Sequence, residues 1–152
     1  MASKGTPSDR DQIPSADEMR MTLLEKQMQE IEKRQKAKAA EEMKLAKFAE
    51  AFLTEQVSEE ERDMIRRIAM NAMRDGKFEA MVYSFPSDLC TDKGRAINNA
   101  DPNWPSTLQG KGKELYERFQ TIAKPKGYKL KAMIIDFPGG VPGDVGLFLS
   151  WA

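Results

Sequence analysis

The residues with the clearest potential for chemistry form a glycine- and proline-rich link near the end of the sequence. Residues 138–143 read PGGVPG and stand between two apolar stretches, with Asp136 before them and Asp144 after them. Glycines let backbone N–H groups converge on a phosphate where such a loop opens a helix. Here the residues after Gly143 favour a strand, the lysine of a P-loop is missing, and both aspartates would repel a phosphate. The pattern therefore predicts a turn between two strands.

Other groups able to act in catalysis or metal binding are few. The sequence contains no histidine, the commonest general base and a common metal ligand. Its single cysteine, Cys90, lacks such a base and is flanked by Asp88 and Asp92, so we expect a buried structural thiol. Asp136 and Asp144 alone do not fill the oxygen shell of a calcium ion. We therefore predict no catalytic residue, no metal site and no cofactor.

Composition restricts the class of partner and the environment. The 152 residues include 24 basic and 24 acidic side chains, so no net charge attracts nucleic acid or a membrane. A single cysteine excludes an internal disulfide framework and suits a reducing cytoplasm. No apolar run approaches the roughly 20 residues that cross a bilayer, and the polar start does not resemble a signal peptide. We expect a cytoplasmic protein without a membrane partner.

The strongest local charge lies between residues 111 and 131, where seven basic side chains stand against two acidic ones. Tyr116 and Tyr128 are interleaved with them. Such a cluster can neutralise the phosphates of a nucleic acid. The alternation of Lys129 and Lys131 with apolar residues equally fits a half-exposed strand. If nucleic acid is the partner, the predicted contacts are Lys111, Lys113, Lys124, Lys126, Lys129 and Lys131.

The N-terminal third is predicted to contain a disordered tail and a long charged helix. Residues 1–14 are rich in proline, serine, glycine and aspartate, which disfavours a packed structure. Ser15 and Glu18 have the spacing of a capping box and mark the start of a helix. Helix-favouring alanine, lysine, glutamate and glutamine then continue. We predict a helix over about residues 16–54, either continuous or as two helices with a soft joint.

Four apolar residues of this helix recur at a 3-4-3 spacing, which places them on one face. The next positions in the same register are polar, so the pattern covers two heptads, fewer than a secure coiled coil requires. We expect this face to contact a protein partner or a second copy of the chain, and local packing on a solvated helix is the alternative. The predicted contact residues are Met21, Leu24, Met28 and Ile31.

The remaining sequence alternates helix and strand signals. Ser58 and Glu61 form a second capping box, which opens a helix over residues 59–75 that ends before Gly76. The later elements are a strand at 78–85, a short helix capped by Ser87, a helix at 106–123 opened by a capping box of Ser106 and Gln109, and strands at 128–137 and 145–151. The last two strands should pair antiparallel, with the 78–85 strand in the same sheet.

These elements predict an α+β fold with a disordered tail at 1–14, an extended helical segment at 15–57 and a compact domain at 58–152. The order helix-strand-helix-helix-strand-strand is also that of a winged-helix domain, with 106–123 as the recognition helix and 137–144 as the wing. This analogy concerns element order alone and is a weak guide to function. The acidic ends of the wing argue against it.

Trp104 lies between two prolines in a connecting segment. We expect it to form a lid over the core, with an exposed anchor for a partner as the alternative. Taken together, the sequence predicts a non-enzymatic protein-interaction or adaptor module. The alternative is a winged-helix-like, nucleic-acid-binding regulator, and the third interpretation is a small enzyme of unknown reaction.

Overall fold

A computed structural model describes residues 12–152, so most of the predicted disordered tail, residues 1–11, lies outside the described residues. The fold is α+β, and the predicted order of helices and strands is confirmed. In chain order the elements are α1 (Ala16–Thr54), α2 (Glu59–Arg74), β1 (Glu79–Pro86), α3 (Arg95–Asn98), α4 (Gly110–Arg118), β2 (Lys129–Ile134) and β3 (Asp144–Ser150). A π-helical turn, Phe119–Ala123, continues α4.

The long helix α1 has the predicted bounds and directly follows the predicted capping serine, Ser15. The Ser15 hydroxyl accepts a hydrogen bond from the Glu18 backbone N–H at 3.1 Å. Asp17 and Glu18 lie in the first turn, where their charge stabilises the positive end of the helix dipole. By its contacts the chain divides into two units, Met1–Ala46 and Lys47–Ala152, so the last turns of α1 belong to the second unit.

Helix α2 shows the complete capping box that the sequence predicts. The Ser58 hydroxyl accepts from the Glu61 N–H, and the Glu61 carboxylate accepts from the Ser58 N–H, both at 3.1 Å. The helix ends at Arg74, and Gly76 adopts a φ of 78°, a conformation that lets the chain leave the helix.

The three strands form one antiparallel sheet in the order β1-β3-β2, with β3 in the centre. Leu149 of β3 pairs with Ala80 of β1 and Leu130 of β2, so one face of the sheet carries a continuous apolar row. A bulge interrupts the register of β1 between Met81 and Tyr83. The predicted pairing of the last two strands, joined by the first, is confirmed.

The glycine-rich link is a turn between β2 and β3, as predicted. Gly139 and Gly140 adopt φ values of 63° and 81°, which the tight bend requires. Asp136 closes the base of the hairpin, because its carbonyl accepts from the Gly143 N–H at 3.0 Å and its carboxylate accepts from the Asp144 N–H at 2.6 Å. The first aspartate of the pair is therefore a structural group of the turn.

The predicted N-termini of the two helices between β1 and β2 are wrong. Ser106 and Gln109 form no capping box, because the Ser106 hydroxyl donates to the Asn103 carbonyl and the Gln109 side chain donates to the Leu89 carbonyl. A 3₁₀ turn, Trp104–Thr107, occupies this part of the chain, and α4 begins only at Gly110.

The helix predicted after Ser87 is also interrupted. Ser87 begins a 3₁₀ turn of three residues and its hydroxyl donates to the Pro142 carbonyl, so it does not cap a helix. Lys93 and Gly94 then adopt φ values of 59° and 82°, which are incompatible with a right-handed helix. Only the four residues of α3 are α-helical there.

The core of the second unit lies between one face of the sheet and the helical segments. Its eight buried residues are Phe52, Phe85, Leu89, Cys90, Ile97, Leu108, Val145 and Leu147. The rings of Phe52 and Phe85 lie 4.9 Å apart between centroids, a contact that joins the end of α1 to β1. The last turns of α1 are therefore part of this core.

Gly110 lies where α4 begins against the last turn of α1. Its φ is +54°, and a Cβ atom there would lie 2.0 Å from the Phe52 carbonyl oxygen. We expect Gly110→Ala to lower the free energy of unfolding by about 3 kcal/mol, since backbone strain and a steric clash combine.

Urea denaturation of the full chain measures this loss. Gly127→Ala is the matched control, because Gly127 also has a positive φ, +96°, but a Cβ atom there would have no non-adjacent neighbour within 4 Å among residues 12–152. The control should cost only about 1–2 kcal/mol of backbone strain. Equal losses for the two variants would contradict the close approach of α4 to α1.

Candidate functional site

The four predicted contact residues of α1 form one apolar surface, here called the apolar stripe. Met21, Leu24, Met28 and Ile31 are respectively 58%, 52%, 56% and 52% exposed. They lie on one face because their spacing matches the helical repeat. The structure therefore brings the predicted residues together and leaves more than half of each accessible to water.

Trp104 lies apart from the apolar stripe in the sequence, within the 3₁₀ turn that precedes α4. Its half-buried ring packs against the core cluster and meets the Tyr116 ring edge-on, with 5.7 Å between centroids. These contacts are those expected of a side chain that covers the core, rather than of one left free to bind a partner.

The six lysines of the predicted nucleic-acid contact do not form one set of free charges. Lys111 is only 11% exposed, and its ammonium donates to the Glu61 carboxylate at 2.6 Å. Lys131 pairs with Glu79 at 3.0 Å. The four others are exposed and lie on α4, in the turn before β2 and at the start of β2: Lys113, Lys124, Lys126 and Lys129.

Glu61 is the centre of a polar cluster that sequence reasoning missed. Besides the Ser58 N–H, its carboxylate accepts from the Lys111 ammonium at 2.6 Å and from the Tyr83 hydroxyl at 2.8 Å. Glu61 belongs to α2, Tyr83 to β1 and Lys111 to α4. The cluster therefore joins three elements of the second unit, and the capping-box spacing was the one signal that singled out Glu61.

The electrostatics of this cluster suit a structural tie. Burial raises the pKa of Glu61, but hydrogen bonds from Lys111, Ser58 and Tyr83 outweigh it, so the pKa lies below its ordinary value. Burial and the neighbouring Glu61 carboxylate raise the pKa of Tyr83. Near neutral pH the carboxylate is thus ionised and the phenol protonated, and neither is poised to exchange a proton.

Cys90 is buried, as predicted, with 2% of its surface exposed. Burial raises the pKa of its thiol to about 11, and the nearby Asp92 charge adds to this, although a hydrogen bond with Thr107 acts in the opposite direction. A nucleophilic cysteine requires a thiolate near neutral pH. The geometry therefore favours a packing role for this side chain.

Within residues 12–152, no helix is long and apolar enough to cross a membrane. The same residues contain no group of three or more cysteine, aspartate or glutamate side chains arranged to hold a metal ion. Comparisons of the chain with known protein families, curated proteins and solved structures found no match.

Glu61→Gln should lower the free energy of unfolding at pH 7 by about 2 kcal/mol, because it leaves the nearly buried Lys111 ammonium without its counter-charge. Since the folded-state pKa of Glu61 is depressed, its stabilising contribution is present above its ordinary pKa of 4.5 and is lost as the pH falls through the lower folded value.

Urea unfolding between pH 7 and pH 3 measures both effects. The stability difference between the wild type and Glu61→Gln should narrow as the medium becomes acidic. Glu60→Gln removes an exposed carboxylate from the same helical turn and is the matched control. A pH-independent difference, or an equal loss in the control, would be inconsistent with the proposed tie.

The Cys90 thiol should react very slowly with a disulfide reagent such as dithionitrobenzoate in the native protein. With a pKa of about 11, only about one thiol in a thousand is ionised at pH 8. The absorbance of the released thionitrobenzoate measures the reaction rate. The rate for the same protein unfolded in denaturant is the reference, and we expect it to be much faster. Comparable rates in the two states would show that the thiol is accessible.

Proposed function

We propose that the chain is a non-enzymatic protein-interaction module whose N-terminal helix pairs with a second copy of the chain through the apolar stripe. The observation that carries the proposal is the exposure of all four stripe residues, each above one half. Contiguous exposed apolar surface marks interaction sites on soluble proteins. Burial of the exposed half of each such side chain in an interface contributes on the order of 1 kcal/mol.

The charges beside the apolar stripe support a second copy as the partner. In heptad notation Met21 and Met28 take position a, so Arg20 takes position g and Glu25 position e. In a parallel pair, Arg20 of one copy lies opposite Glu25 of the other. An antiparallel pair would instead bring the position e residues Glu25 and Glu32 together, with like charges. The pattern therefore favours a parallel pair in register.

The length of the apolar stripe limits the strength of the pairing. Two heptads bury less surface than a self-sufficient coiled coil, so we expect a reversible dimer that depends on protein concentration. The flexible methionine side chains at both a positions adapt to imperfect packing. The same surface can therefore also accept other helical partners.

The nucleic-acid alternative has weaker support. Lys111 and Lys131, two of its six lysines, already pair with carboxylates, and a phosphate would have to displace those partners. Catalysis also has weak support, because the Cys90 thiol is protonated at neutral pH and the Glu61 carboxylate is held in a structural cluster.

Sedimentation equilibrium of the full chain over a range of concentrations should reveal a monomer–dimer equilibrium. Leu24→Ala with Ile31→Ala should raise the dissociation constant at least about tenfold, because it removes apolar surface worth more than about 1.4 kcal/mol. Leu23→Ala is the matched control, since Leu23 is 58% exposed but lies off the stripe. Alanine favours helix, so a change in helicity is not expected.

Register is tested by oxidation of Met28→Cys, which should form a disulfide between copies, whereas Gln29→Cys on another face should not. A chain that stays monomeric at every concentration would overturn the proposal. If that monomer binds a DNA duplex with affinity that falls steeply with salt, the nucleic-acid alternative replaces it.

A further inference from the structure

An apolar cleft opens on the core-facing side of the sheet, within the second unit. One wall is α2, and the other is α4 with its π-helical continuation. Its volume is about 200 Å³. The apolar lining includes Ile65, Val82, Leu115, Phe119, Leu130 and Leu149.

The cleft exists because the core covers only part of the sheet. At the floor of the cleft Leu147 is 1% exposed and Val82 is 8% exposed, whereas the nearby Leu130 and Leu149 are only half-buried. Ile122 at the rim is 55% exposed. The cleft is thus an opening to the core, beside a π-helical turn of a kind often found at functional sites.

Two arginines stand at the mouth of the cleft. Arg62 of α2 and Arg118 of α4 line both the apolar cleft and an adjoining polar depression, and each side chain is 38% exposed. Arg66 also lines the depression, together with the carboxylates of Glu59 and Asp63. Each guanidinium group has a carboxylate beside it, Glu59 for Arg62, Asp63 for Arg66 and Glu114 for Arg118, so the mouth offers hydrogen-bond donors without an excess of positive charge.

Both mouth arginines retain donors for a ligand. Arg118 donates through Nε to the Glu114 carboxylate at 2.9 Å, and no residue within 12–152 accepts from its two terminal nitrogens. The Glu114 bond also holds the guanidinium in place. Arg62 Nη2 lies 4.0 Å from Glu59 Oε1, beyond hydrogen-bonding distance.

We propose that this cleft binds a small amphipathic carboxylate, whose apolar chain lies on the sheet and whose carboxylate accepts hydrogen bonds from Arg62 and Arg118. Arginine recognises a carboxylate with paired, charge-assisted hydrogen bonds. The Tyr83 hydroxyl in the lining already donates to Glu61, so the arginines supply the polar recognition.

The size of the cleft sets the length of the ligand. At the roughly 30 Å³ that a water-sized group occupies, the cleft holds about seven carbon groups, the apolar part of octanoate. Drug-sized sites are larger, at about 300–1,000 Å³, and a protein partner would need on the order of 1,000 Å² of interface. A short-chain amphiphile therefore fits better than either.

Titration of the ¹⁵N-labelled full chain with octanoate, followed by heteronuclear NMR, tests the proposal. We expect saturable shifts at the amides of Arg62, Phe119 and Leu149. Octylammonium has the same chain length and the opposite charge, and it should bind at least about tenfold more weakly because an ammonium group cannot accept hydrogen bonds from Arg62 and Arg118.

Variants separate the two halves of the site. Arg62→Gln should weaken octanoate binding about tenfold, because it removes a charge-assisted hydrogen bond, whereas the matched control Arg67→Gln removes an exposed charge from the same helix and should have no effect. Ala123→Trp should fill the cleft and abolish binding. The proposal is overturned by shifts elsewhere in the chain, by equal binding of octylammonium, by equal weakening in the control, or by no saturable shift at all.

Discussion

The arrangement of the second unit depends on the close approach of α4 to the last turn of α1. Gly110 leaves room for the Phe52 carbonyl, and Gly112 leaves room for the Phe52 ring, which a Cβ atom would meet at 3.1 Å. The same ring packs on Phe85 of the sheet. Because Gly110 and Gly112 lack side chains, Phe52 can connect the end of α1 to both α4 and β1. The resulting position of α4 determines which of its polar side chains contact the rest of the second unit.

Two glutamates tie the helices together around this contact. Glu61 of α2 accepts from Lys111 near the start of α4, and Glu114 of α4 accepts from the Val57 N–H just before α2 and from the Arg118 side chain. The ties lie near the N-termini of both helices. The residues of α2 and α4 that line the cleft follow these glutamates in the sequence, and the Glu114 carboxylate also holds the Arg118 guanidinium at the mouth.

The sequence predicted those features that depend on neighbouring residues. Ser58 with Glu61, and the glycine-rich link, gave correct positions for α2 and for the turn of the hairpin because a capping box and a tight turn are local. The spacing of Ser106 and Gln109 imitated a capping box, yet Gln109 bonds Leu89, 20 residues away. Lys111 looked like surface charge because its partner lies 50 residues earlier. No pattern in the sequence predicts the cleft, because its lining side chains come from residues far apart in the sequence.

The sheet order has a consequence for biosynthesis. β1 and β2 each pair with β3 and with no other strand in the described part of the chain. Until the ribosome has extruded residues 144–150, both strands lack their hydrogen-bonding neighbour, although β1 has long since emerged. The contacts of β1 with β3 have a high sequence separation, which slows folding and leaves an unsatisfied strand edge on the nascent chain. Because β3 follows both of its partners in the sequence, the sheet can form only after β3 has been translated.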